Sequence, residues 1–265
     1  MGVRRPADRL LSNGDPPVFS VERADGGAAV LITCDHAGRA IPRRLNQLQL
    51  SSETLSTHVA WDLGVAELGR RLSARLDAFL IQHNYSRLVI DANRPPHAAD
   101  SIAVLSEHTR IAANEGLCQA SRRQRLDELF VPYHRRISSE LDRRSRRGSS
   151  CVLVALHSFT PTYLGEQRPW HAGVLFGRDP RLGRLLHARL SEENALCVGE
   201  NMPYAVSDDT DYTVIVHGEQ RNIPHVELEI RQDLLVDDTG LDDWSERLAL
   251  ALEATLPQLN RRVPC

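Results

Sequence analysis

Lysine is absent from the 265 residues, so all 32 strongly basic side chains are arginine. That excludes every chemistry that needs a primary amine on the protein: a Schiff base, a lysine general base, or the lysine of a phosphate-binding loop. Cysteine is scarce. Its five copies (Cys34, Cys118, Cys151, Cys197, Cys265) are odd in number and contain no CxxC pair, which excludes a disulfide scaffold and fits a reducing compartment. Cys34 and Cys151 lie within apolar runs and read as small buried hydrophobes. No run approaches the roughly 18 apolar residues of a membrane helix. The Arg-containing N-terminus lacks the apolar core of a secretory signal. The expectation is a soluble, cytoplasmic protein without membrane partners. GxSxG, GxGxxG and GxxxxGK motifs are missing too, so a serine-hydrolase elbow and the common nucleotide loops are excluded. A net charge of -3 argues against a nucleic-acid surface. The basic run Arg143–Arg147 reads as a solvated helix end that suits the helix dipole.

The chain does have enough apolar residues, 42%, for a sizeable core. No repeat, low-complexity tract or linker divides it, so residues 1–265 read as one domain. After an extended lead-in over 1–25, patterning predicts strands at 18–21, 29–34, 79–82, 88–90, 152–156, 172–176, 211–216 and 225–230. It predicts helices at about 58–77, 115–146 with a break at Pro132, 180–193 and 244–256; residues 40–57 read as loop and short helix. Strands alternating with helices indicate an α/β sandwich.

Three apolar runs end abruptly in polar groups. Val30–Cys34 leads into Asp35 and His36, Leu88–Ile90 into Asp91, Asn93 and Arg94, and Val152–Leu156 into His157 and Ser158. Strand ends of α/β sheets are where ligands bind. A lone histidine there is ordinarily a hydrogen-bonded structural residue, but two at matching strand ends favour metal ligands. Asp62, read as lying in the first turn of the 58–77 helix, is the candidate third ligand, with His58–Asp62 as an alternative pair at i,i+4. Asp35 is placed to orient a ligand rather than to be one. A hydrolytic metal site also needs a base. In His225–Arg231 the residues alternate, so His225, Glu227, Glu229 and Arg231 share a face. That face is either solvated or presents a glutamate beside the metal. Arg87, Asn93 and Arg94 form a candidate anion clamp, stiffened by Pro95 and Pro96. Pro203 stiffens the turn from Asn201 to Tyr204, whose hydroxyl could reach the pocket. Ser158 beside His157 is not a triad, because neighbours on a strand diverge.

Taken in order, these residues resemble the N-formylglutamate amidohydrolase family. The resemblance is carried by Cys34-Asp35-His36-Ala37 with Ile41-Pro42, by Trp61-Asp62-Leu63-Gly64, and by Tyr85-Ser86-Arg87 with Asp91-Ala92-Asn93-Arg94. It continues through Leu156-His157-Ser158, Asn201-Met202-Pro203-Tyr204 and Leu228-Glu229-Ile230-Arg231, and spans about 28–235. It implies a three-layer sandwich, a mixed sheet between helices as in zinc-dependent exopeptidases and aspartoacylase. It also implies hydrolysis of an N-acyl amino acid such as N-formylglutamate, with Zn2+ or another divalent metal. By the resemblance, His36 and His157 are metal ligands; Asp62 stays the candidate third ligand from the reading of the residues. Glu229 rather than Glu227 is the base, and Arg87 polarises the scissile carbonyl. Asn93, Arg94, Tyr204, Asn201 and Arg231 are expected to contact substrate. The family often has Glu-Ile-Asn-Arg and Pro-His-Ser-Gly where this chain has Glu229-Ile230-Arg231-Gln232 and Asp35-His36-Ala37-Gly38, which places it in a divergent branch. A small-peptide carboxypeptidase or another deacylase on the same scaffold, and a small-anion binding protein that has lost its metal, are the alternative readings.

Overall fold

The protein is described by a computed structural model over residues 9–259. The start of the expected lead-in (1–8) and Cys265 lie outside the described residues. Seven strands form one sheet: β1 (Phe19–Glu22), β2 (Val30–Cys34), β3 (Phe79–His83), β4 (Val152–Phe159), β5 (Ala172–Leu175), β6 (Val198–Glu200) and β7 (His225–Arg231). Their spatial order is β1-β3-β2-β4-β7-β5-β6. The β3-β2-β4-β7 block is parallel, β1 is an antiparallel edge, and β5 runs antiparallel to β7. The sheet is therefore mixed.

Alternation along the strands assigns the two faces. Val30, Ile32, Val154, Leu156, Val226 and Leu228 pack under helices α1 (Val65–Leu76), α4 (Arg181–Ser191) and α5 (Asp238–Leu259). Leu31, Ile81 and Leu153 pack on the other face, against Tyr133, Ile137 and Leu141 of α3 (Val131–Arg146). Helices thus cover both faces of the expected three-layer sandwich. By the same period of two, His157, Glu227 and Glu229 belong to the α3 face. No helix among the described residues is long and apolar enough to cross a membrane.

Four sequence expectations fail locally. Leu88–Ile90 is buried but is not a strand. A buried Asn114 donates to the Leu88 carbonyl at 2.8 Å and a buried Arg125 to the Val89 carbonyl at 2.8 Å. Side chains thus meet the backbone needs that a sheet would otherwise meet. The helix expected from His58 starts only at Val65, because Gly64 is left-handed (φ 79°). A Cβ at Gly64 would stand 2.5 Å from Leu235 Cβ, so the turn is specific to glycine. Residues 211–216 are not a strand: Val214–Gly218 forms a wide helical turn. Pro132 does not break its helix. α2 (Gln119–Arg125) runs through a wide turn at Leu126–Phe130 into α3, and the proline directly follows that turn, whose wider bonding accommodates the missing N–H.

Candidate metal and substrate site

The carboxyl ends of β2, β4 and β7 open into a cavity of about 480 Å³. His36 follows β2, and His157 lies within β4. Their rings meet edge to face with centroids 4.9 Å apart. Asp62 lies in the turn before Gly64, held there by its backbone N–H on the His36 carbonyl at 3.0 Å. Its Oδ2 is 3.5 Å from His36 Nδ1 and 3.0 Å from His157 Nδ1. The three residues offer ligand atoms that all fall within 4.8 Å of one another. Two ligand atoms on a tetrahedral ion at about 2.0–2.1 Å stand about 3.3 Å apart, so the spacing fits a divalent ion. His58 is not part of this set; its Nε2 pairs with Glu107 at 2.9 Å.

Each imidazole is backed by its own carboxylate. His36 Nε2 donates to Asp91 Oδ1 at 2.7 Å, and His157 Nε2 points to Asp35 Oδ2 at 3.4 Å. Asp35 is fixed in turn by the Tyr133 hydroxyl at 2.7 Å. For His36 this leaves Nδ1 beside Asp62 with no hydrogen-bond partner, whereas His157 donates from Nδ1 to Asp62 Oδ2 at 3.0 Å and leaves Nε2 unpartnered. The charges reinforce one another. Burial disfavours the charged forms, yet Asp91 and Asp62 raise His36, and Glu227, Asp35 and Asp62 raise His157 well above the ordinary histidine value. Asp62 is lowered by both histidines against its own burial. Protons held this way on donor atoms are what a cation replaces on binding.

Glu227 and Glu229 both line the cavity. Of the two readings of this strand's polar face, the solvated one fails: β7 is buried throughout up to Ile230. In the parallel register Glu229 pairs with His157. Its Oε2 has no partner, and burial, with Asp62 adding, pushes its carboxyl up to about 7 against His157, His36 and Arg87. Glu227 is likewise raised well above the ordinary carboxyl value, by burial and then by Asp211.

Arg87 donates to Asp91 Oδ2 at 2.9 Å and approaches Asp62 Oδ1 at 3.5 Å. Arg94 lines the cavity, paired with Asp100 at 3.0 Å and donating to the Thr210 carbonyl. Asn93 also lines it, but its amide is committed elsewhere. Oδ1 accepts the N–H groups of Tyr212 and Thr213 at 3.2 and 3.0 Å, and Nδ2 approaches Asp211 and Glu227 at 3.4 and 3.3 Å. Asn93 therefore ties three segments together instead of offering a free hand to a ligand. Two other expected substrate contacts fall outside the cavity lining. Asn201 takes a left-handed φ of 53° and its Oδ1 accepts from the Phe176 N–H at 2.9 Å, so it shapes a turn. Arg231 is held by Asp233 at 2.8 Å and faces the carbonyls of residues 168–170. Tyr204 does line the cavity. Its loop comes in over Gly173, where a Cβ would stand 2.1 Å from the Met202 carbonyl. Asp91 is the functional neighbour that sequence reasoning left without a role. The signal for it was its place at the head of the Asp91–Arg94 motif.

The family model of N-formylglutamate amidohydrolase matches residues 28–236. A crystal structure of an Agrobacterium tumefaciens gene product superposes with a TM-score of 0.92 at 34% identity, covering 96% of this chain and 100% of that one. The N-formylglutamate amidohydrolase of Ralstonia eutropha superposes with a TM-score of 0.67 at 18% identity, covering 92% of this chain and 100% of that one. No curated protein matches the sequence.

Proposed function

Because the chain belongs to the N-formylglutamate amidohydrolase family and is an amidohydrolase, we propose that it hydrolyses the amide linking an acyl group to an amino acid, with a divalent ion held by His36, Asp62 and His157. The observation that carries this reading is the convergence of both Nδ1 atoms on Asp62 Oδ2, at 3.5 and 3.0 Å, with Glu229 registered beside His157. Zinc suits two imidazoles and a carboxylate. Such an ion supplies Lewis-acid charge, which polarises a carbonyl and acidifies water.

The protein's own groups supply the rest. Glu229, buried and with one oxygen uncommitted, takes the proton of the attacking water and returns it to the departing amine nitrogen. Burial raises this carboxyl above the ordinary carboxylate range, which favours its taking up a proton. Arg87, fixed by Asp91, presents a guanidinium to the carbonyl oxygen as negative charge grows there. Arg94 takes the substrate's α-carboxylate. Its present partner Asp100 is 59% exposed, and a pair of that kind contributes little and exchanges readily, whereas a carboxylate in the cavity can engage the guanidinium through two bonds. Asp91 holds the His36 imidazole by its Nε2, and Asp35 lies 3.4 Å from His157 Nε2, placed to accept its proton when Nδ1 turns to the ion.

The test is turnover of a panel of N-formyl and N-acetyl amino acids by zinc-supplied native protein and by Glu229→Gln. The substitution should lower kcat by about 10²–10⁴-fold with KM little changed. A near-native kcat would remove Glu229 from the base role, and no turnover of any member by the native protein would overturn the reading.

A further inference from the structure

The cavity changes character along its depth. Its floor is ionic, but its mouth is edged by Leu105, Tyr163 and Tyr204, which are 60%, 38% and 42% exposed. Nine large hydrophobic side chains are exposed among the described residues. Six of them fall in three short segments, 104–105, 163–164 and 202–204, each of which contributes one of those edge residues. Scattered exposure needs no explanation; exposure concentrated at the rim of a polar cavity marks a contact surface.

This edge is preorganised. Leu105 and Tyr163 each sit on a two-stranded hairpin, Leu105–Ser106 against Thr109–Arg110 and Thr162–Tyr163 against Glu166–Gln167. The Arg168 guanidinium stacks 4.6 Å from the Tyr163 ring and 4.8 Å from the Tyr204 ring, and donates to the Tyr204 hydroxyl at 2.8 Å. Among the charged groups at the mouth, His58 pairs with Glu107 and Arg94 with Asp100, while the Arg168 guanidinium is engaged by the two rings and the Tyr204 hydroxyl. Two arginines line the cavity. Arg87 is committed to Asp91 and Asp62, which leaves Arg94 as the lining guanidinium for one carboxylate.

We propose that the substrate's variable part is apolar: a group the size of a leucine or phenylalanine side chain lying on the Leu105–Tyr163–Tyr204 edge, with a single carboxylate on Arg94. This rests on the amidohydrolase reading above. It sets the expected substrate apart from a dicarboxylate, whose second charge would have to draw Arg168 off the two rings that hold it. The apolar group belongs either to the amino acid or to the acyl chain, and both present the same chemistry to the edge.

The experiment measures kcat/KM of zinc-supplied native protein for N-formyl derivatives of alanine, leucine, phenylalanine and glutamate, and for N-acetylglycine against N-hexanoylglycine. The amino-acid arm and the acyl arm separate the two sources. In one arm the apolar member should exceed its small counterpart by about 10–100-fold, the value of burying such a side chain. Leu105→Ser and Tyr163→Ser should collapse that ratio towards one, chiefly through KM. A ratio taken within one preparation is insensitive to partial loss of folded protein. Calorimetric binding of leucine against glutamate, the corresponding products, gives a readout independent of turnover and should favour leucine. Preference for N-formylglutamate that disappears in Arg168→Gln would overturn the inference, by making the edge an anion site. Equal rates across both arms would also overturn it. Either result leaves the amidohydrolase reading standing, whereas no turnover of any compound removes both.

Discussion

His36 Nε2 lies 2.7 Å from Asp91 Oδ1. A carboxylate only accepts, so the imidazole donates there and keeps Nδ1 towards Asp62. His157 meets Asp62 differently: its Nδ1 donates to Asp62 Oδ2 at 3.0 Å, and its Nε2 faces Asp35 Oδ2 at 3.4 Å. Two Nδ1 atoms, oriented from three separate stretches of chain, therefore converge on one carboxylate.

Asp91→Asn keeps the shape of that support and removes its charge. Loss of such a partner ordinarily costs about 10–100-fold in metal affinity. Zinc competition against a chromophoric chelator should show a loss of that size; an unchanged affinity would mean that His36 is oriented by packing alone.

Asp62 reaches the histidines because α1 begins late. Gly64→Ala places a Cβ on a left-handed residue against Leu235. It should destabilise the fold by about 1–3 kcal/mol in urea melts. It should also weaken zinc binding, since the strained turn is the one that carries Asp62. A variant with native stability would show that the turn tolerates a side chain.

Asn93 is a structural tie. Asn93→Ala leaves the Thr213 N–H without its acceptor, while the Tyr212 N–H keeps the Asn93 backbone carbonyl at 3.1 Å. At about 1–3 kcal/mol for a buried group left unsatisfied, a loss of that size is expected, read as a lower urea midpoint. A midpoint within error of native would contradict the tie.

His134 is buried, with Nε2 on the Ala92 carbonyl and Nδ1 on His217 Nε2 at 3.0 Å. Burial pulls it down to about 4. The unfolded chain protonates this group near 6.5 and the folded protein only near 4, so between those values the unfolded state binds the extra proton. Native stability from this residue is lost as pH falls through that window. His134→Gln lacks the group. Its stability deficit relative to native should shrink by up to about 1.4 kcal/mol per pH unit from pH 6 to 4.5. A constant deficit would contradict a buried neutral histidine.

These predictions also show what was legible in the sequence. Val30–Cys34 and Val152–Leu156 announced their strands as apolar runs ending in histidine-bearing polar groups, and His225–Ile230 announced its own by alternation. Ordering those ends brought His36, His157 and the Glu227/Glu229 face into one place. Asp62 was named for the wrong reason: a helical turn was expected, and a glycine-dependent loop delivers it. Leu88–Ile90 misled because nothing local reveals that Asn114 and Arg125, far along the chain, will take its carbonyls. Asn201 and Arg231 read as ligand contacts because polar residues beside a motif look alike whether they face a cavity or close a turn. The commitment of Asn93 to Tyr212 and Thr213 was invisible for the same reason: it is a long-range contact.

The most direct test of the account is zinc binding by metal-free protein at equilibrium, followed by calorimetry, in the native chain and in His157→Ala. The account predicts about one ion per native chain, the stoichiometry of a three-ligand catalytic site, and loss of that binding in the variant. A native protein that binds no divalent ion, or a variant that binds as tightly as native, would contradict it.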